Sequence, residues 1–106
     1  MTQQQPEKTL FIVIIRYLVA LDTILEIRPA HVDFLKKHYS DGTFIVSGPQ
    51  IPRTGGVILA KAINRHALLS ILKNDPFCVN NYAEYQIFEF TINMCCNELK
   101  DFFQKL

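Results

Sequence analysis

The best candidates for moving a proton in this 106-residue chain are His31, and Asp75 in the run Asn74-Asp75-Pro76. Imidazole titrates near neutrality, so it can take up or release a proton at working pH. A carboxylate that accepts from one ring nitrogen would set the tautomer and stabilise the imidazolium, as in hydrolase triads. Each residue also has a purely structural use. His31 can be a core histidine that bonds once and packs, and Asp75 can be a helix-end residue in an Asp-Pro turn.

Other polar groups could complete a pocket. In Ser47-Gly48-Pro49, glycine lets a ligand approach the main chain, and Ser47 could donate to a carboxylate or lactone oxygen. Ser47 is not read as a nucleophile, because it lacks the G-x-S-x-G elbow and its strand-turn-helix setting. Pro49 suits a bend at a strand end. Arg28 and Arg53 are candidate anion binders, since a guanidinium grips a carboxylate with two prongs. Arg28 has the stronger case, three residues before His31; the alternative for either is a solvated surface charge. Tyr85 is a candidate pocket wall with a hydroxyl, or ordinary core. His31 and His38 lie seven apart, but no H-E-x-x-H or Cys-His cluster accompanies them. No metal is expected. Gly55-Gly56 lead into a strand rather than a helix, so no phosphate cradle and no cofactor is expected either.

The elements that must position these groups can be read along the chain. Residues 1–8 are polar and glutamine-rich, and read as a loose arm. Thr9 to Leu18 is a β-branched and aromatic run that suits a central strand covered on both faces. Asp22 to Glu26 fits a helical turn or a loop. Pro29 fits the first turn of a helix. From there Ala30, His31, Phe34, Leu35, His38 and Tyr39 make one face, up to the Asp41-Gly42 stop. His31 would then sit near a helix N-terminus, where the dipole disfavours its protonated form.

Thr43 to Val46, running into Ser47-Gly48-Pro49, and Val57 to Ile63 read as strands joined by the loop Gln50 to Gly56, which holds two glycines and a proline. Asn64 caps a second helix over Ala67 to Leu72, and Asn74-Asp75-Pro76 stops it. Ala83 to Asn93 is a fourth strand. Residues 94–106 hold a terminal helix from Glu98, with a stripe of Leu99, Phe102, Phe103 and Leu106 expected to bury in the chain's own domain or a dimer mate. The order βαββαβ over residues 9–93 predicts an α+β, ferredoxin-like fold with an antiparallel sheet. Helices cover one face only. A second copy is the simplest cover for the other, giving a dimeric α/β barrel.

Composition agrees with one small globular domain: 49% of residues are apolar and 20% charged. A net charge of +1 with scattered basic residues gives no reason to expect nucleic acid as a partner. The run Leu10 to Ile15 is too short to cross a membrane. The polar first residues, and three cysteines with no disulfide framework, set the cytoplasm as the expectation.

Taken in order, Arg28-Pro29-Ala30-His31, Ser47-Gly48-Pro49-Gln50, Pro52-Arg53-Thr54-Gly55-Gly56-Val57, Asp75-Pro76-Phe77 and Tyr85 resemble the YCII-related (YciI-like) family, from about Thr9 to Thr91. The resemblance implies a dimeric α/β barrel and an active site built on the motif's histidine and aspartate, here His31 and Asp75. One branch of that family is similar to enzymes that eliminate halide from chlorinated lactones, and the wider superfamily includes muconolactone isomerases. The leading expectation is a small-molecule enzyme of lyase, isomerase or hydrolase type, acting on a small organic acid or lactone. Competing with it are a non-catalytic dimeric binding module and an interaction role for the terminal helix.

Overall fold

The computed structural model describes residues 8–106; the expected arm at residues 1–8 lies outside them apart from Lys8. The chain folds as β1 (Thr9–Tyr17), α1 (Leu21–Ser40), β2 (Phe44–Pro49), β3 (Gly55–Ala60), α2 (Arg65–Leu72), α3 (Pro76–Val79) and β4 (Ala83–Thr91). A short 3-10 turn at Asn97–Leu99 then leads into α4 (Lys100–Gln104). The four strands form one antiparallel sheet in the order β2-β3-β1-β4. This is the ferredoxin-like α+β arrangement that the element order predicts.

Alternation along β1 divides the sheet into two faces. Phe11, Val13 and Ile15 are buried, and they join Ile58, Ala60 and Ile87 in a core with Ile24 and Phe34 of α1, Leu68 and Leu72 of α2 and Phe77 of α3. Ile12 and Ile14 point the other way. Ile12 pairs with Leu59 and Phe88, Ile14 with Val57 and Gln86, and Leu59 with Val46. Val46 and Phe88 are about half exposed on that second face, at 56% and 49%. The sheet therefore has one sealed face and one apolar face open to solvent.

Local rules explain most of the boundaries. Asn64 accepts from the Ala67 amide at 2.8 Å and caps α2, as expected. Gly42, at φ +83°, ends α1 one residue past its cap, and its amide bonds the Tyr39 carbonyl. His38, near that end, is buried between Phe34 and Phe44 and bonds Asp41 through Nδ1 at 2.9 Å. That pair ties the helix end to the start of β2, because Asp41 also accepts from the Thr43 amide.

Four expectations need correction. Helix α1 begins at Leu21, so Pro29 lies inside it and Asp22 to Glu26 is helical. Proline cannot supply the N–H that the Leu25 carbonyl expects, but both residues face solvent and Ile24 packs the first turns into the core. His31 is consequently mid-helix, and no N-terminal dipole acts on it. Strand β2, expected over Thr43 to Val46 with a bend at Ser47-Gly48-Pro49, runs through to Pro49 at the sheet edge, where proline is tolerated. The terminal helix is shorter than expected, and Leu99 and Phe102 of its stripe stay exposed at 44% and 41%. The third strand also runs from Gly55 to Ala60 rather than from Val57 to Ile63.

Candidate active site

One row across the sheet supports the site: Pro49 pairs with Gly56, Gly56 with Ile15, and Ile15 with Tyr85. Above it, α1 brings His31 to the buried face, and α3 begins beneath the histidine ring. Asp75 starts α3 as its N-cap, accepting from the Phe77 amide at 3.1 Å, with Pro76 in the first turn where its missing N–H costs nothing. The stop signal Asn74-Asp75-Pro76 is thus also a start signal for one further helical turn.

Asp75 is fully buried and collects three donors. His31 Nδ1 lies 2.8 Å from Oδ1, which also takes the Phe77 amide, and the Tyr85 hydroxyl donates to Oδ2. A carboxylate has only acceptors, so Nδ1 of His31 is the donor in this contact. The Phe77 ring stacks on the imidazole at 4.0 Å between centroids and 12° between planes, which fixes its tilt. No protein group bonds Nε2 among the described residues, and no buried polar side-chain atom there lacks a partner. Nε2 is therefore not sealed from solvent, and His31 lines a cavity.

That cavity has a volume of about 170 Å³. Ile15, Ile58 and Gly56 make its floor, Arg28, His31 and Leu35 its helical wall, and Ser47, Gly48, Pro49 and Arg53 the wall formed by β2 and its hairpin. A side chain at Gly56 would stand 3.2 Å from the Gly48 carbonyl and 3.8 Å from Ile15, so the missing Cβ leaves the floor open. A Cβ at Gly48 would meet nothing within 4 Å, so its main chain borders open space. Ser47 Oγ bonds the Tyr39 hydroxyl. With Tyr39 donating, Ser47 keeps its own O–H free.

The structure thus brings His31, Arg28, Ser47, Gly48 and Pro49 to one cavity, with Asp75 and Tyr85 behind the imidazole rather than in the lining. Sequence reasoning missed Gly56 and the ring of Phe77. A glycine inside a strand marks a bulge or a close approach, and that signal was available once Gly56 was placed in β3.

Burial, and then the charge and hydrogen bond of Asp75, push the Tyr85 hydroxyl far above its ordinary pKa. Tyr85 is therefore a fixed donor at neutral pH. The sign of the linkage follows. Below about pH 10 both folded and unfolded chains hold this proton; above it only the unfolded chain loses it, so stability falls as pH rises. Tyr85→Phe should cost about 1–3 kcal/mol at neutral pH by removing a bond to a charged group. That deficit should narrow above about pH 10 in denaturant titrations of the two proteins. A constant deficit would place Tyr85 outside the network.

Two comparisons bear on this geometry. The family profile of the YCII-related domain matches residues 9–91. In structure, the chain is similar to 5-chloro-2-hydroxyhydroquinone dehydrochlorinase (TftG) from Burkholderia phenoliruptrix AC1100, solved in complex with 2,5-dihydroxybenzoquinone. The TM-score is 0.65 at 19% identity, over 74% of this chain and 90% of that chain. No curated protein matches the chain. No helix among the described residues is long and apolar enough to cross a membrane, and no group of three or more His, Cys, Asp or Glu side chains there is placed to hold a metal ion.

Proposed function

The chain belongs to the YCII-related family, and from that premise we propose that it is an acid–base enzyme of lyase or isomerase type, acting on a small organic acid or lactone. One observation carries the reading: an imidazole held through Nδ1 by a buried carboxylate, on a histidine that lines a cavity. Neutral His31 takes a proton from a carbon beside a carbonyl through Nε2, and Asp75 steadies the imidazolium that forms. The proton then returns at another carbon, or a leaving group departs. Arg28 and the Gly48 main chain hold the anionic oxygen of the substrate.

Several features support this choice. The cavity is close to the ~150 Å³ that accepts a benzene ring, so a small substrate fits. The only serine in its lining is bonded to Tyr39 rather than to His31, which favours elimination or isomerisation over nucleophilic hydrolysis. The structural neighbour TftG is by its name a dehydrochlorinase, an eliminating enzyme.

The open sheet face supports a homodimer. Val46, Phe88 and Phe90 are exposed beside half-buried Ile12, Ile14, Val57 and Leu59, and a second copy of the face covers them. Sedimentation is expected to give a dimer, with Phe88→Lys shifting it towards monomer; a monomeric wild type would remove this part of the reading.

The activity is tested by proton exchange in deuterium oxide. The protein is incubated with small unsaturated acids and lactones, and deuterium entering beside the carbonyl is followed by NMR. Wash-in catalysed by the wild type is the expected result. Binding of these compounds without any exchange would make the cavity a binding site and not a catalytic one.

A further inference from the structure

The cavity carries more positive charge than one carboxylate needs. Arg28 comes from α1, and Arg53 from the hairpin between β2 and β3. Neither guanidinium makes a hydrogen bond or an ion pair among the described residues, whereas exposed Arg16 is paired with Glu84. The lining contains no aspartate or glutamate. Asp75, outside the lining, is occupied by its three donors.

Arg53 is also held in place. The Gln50 amide bonds the Gly55 carbonyl at 2.9 Å across its loop, and the Thr54 amide bonds Pro52 at 2.8 Å. The Tyr17 amide at the end of β1 bonds the Thr54 carbonyl at 3.0 Å. The main chain on both sides of Arg53 is thus pinned to the sheet beside the cavity. Two unpaired like charges facing one small hollow repel each other, and an anion between them relieves that repulsion.

We infer that the cavity binds a short dicarboxylate, one carboxylate gripped by Arg28 and the other by Arg53, with the carbon skeleton lying between them under His31. This rests on the cavity being the substrate site, and it adds the second charge and the second anchor. A skeleton of a few carbons suits the volume, and the two guanidiniums stand on separate walls, so the charges belong on two centres and not on one. His31 then faces the carbons between the carboxylates, where a proton beside a carbonyl group would be.

The test is binding by calorimetry at low ionic strength, with matched probes. Maleate and fumarate are compared with crotonate, which replaces one carboxylate by a methyl group, and with inorganic phosphate. Dicarboxylate is expected to bind on the order of tenfold more tightly than crotonate, one charge-assisted contact apart. Arg53→Gln and Arg28→Gln should each bring it down to the crotonate level. Arg53→Lys, which keeps the charge without the two-pronged grip, should fall between. His31→Asn should leave the dicarboxylate preference in place, which separates this inference from the acid–base reading: loss of exchange activity leaves the binding result standing, and the reverse. Equal binding of crotonate and the dicarboxylates would overturn the inference, as would an Arg53→Gln protein with full preference. Phosphate competing as well as the dicarboxylates would put both charges on one centre and overturn it too.

Discussion

Asp75→Ala is expected to destabilise the protein by about 3–5 kcal/mol, the cost of removing one member of a buried, hydrogen-bonded charge network. The carboxylate is completely buried, and its loss strands three donors at once: His31 Nδ1, the Phe77 amide and the Tyr85 hydroxyl. It also uncaps α3, whose four residues have little else to start them. Set against a total stability of roughly 5–15 kcal/mol for a domain of this kind, the loss threatens the fold itself. Asp75→Asn keeps the volume and one acceptor, but its amide nitrogen must face a donor, so an intermediate loss is expected. Urea unfolding measures both. A cost under about 1 kcal/mol for Asp75→Ala, the size of an ordinary surface change, would mean that water or rearrangement satisfies these donors.

The second large effect concerns turnover. His31→Asn is expected to lower the rate of proton exchange by about 10²- to 10⁴-fold, the usual contribution of a positioned acid–base group. Asparagine can still donate to Asp75 from its amide, so the variant should fold with a modest stability loss. The readout is then catalytic and separate from the first prediction. Asp75→Asn should also reduce exchange in whatever fraction folds, because an amide facing Nδ1 favours the wrong tautomer. A His31→Asn protein with unchanged exchange would remove the imidazole from the chemistry.

Much of this arrangement was legible in the residues, where local rules decided. Asn64 is an N-cap and Asp41-Gly42 a helix stop because their side-chain and backbone preferences act within a few residues. The βαββαβ order followed from runs whose periodicity is local. Pro29 misled because a proline looks like a helix start, while the packing of Ile24 extends α1 by two turns before it. The sequence pattern ends β2 three residues short, at Val46, because the turn-like composition of Ser47-Gly48-Pro49 is tolerated at a sheet edge, and edge position is a property of the whole sheet.

The site divides along the same line. His31 and Asp75 could be named as chemistry-bearing types, but their 2.8 Å contact joins residues 44 positions apart and depends on α3 forming. The cavity depends on what is missing at Gly56, and on a hairpin carrying Arg53 back to the helix that holds Arg28. No pattern within one segment encodes either. The open sheet face sits between these cases: alternation showed that both faces of β1 are apolar, and only the fold showed which one stays uncovered.

The most direct measurement is nitrogen-15 NMR of the His31 ring in the folded protein, with and without maleate. The proposed acid–base role predicts a ring with its proton on Nδ1, bonded to Asp75, and an unprotonated Nε2 whose resonance moves when maleate enters the cavity. A ring protonated on Nε2 instead, or an Nε2 signal indifferent to every small acid that binds, would contradict the account at its centre.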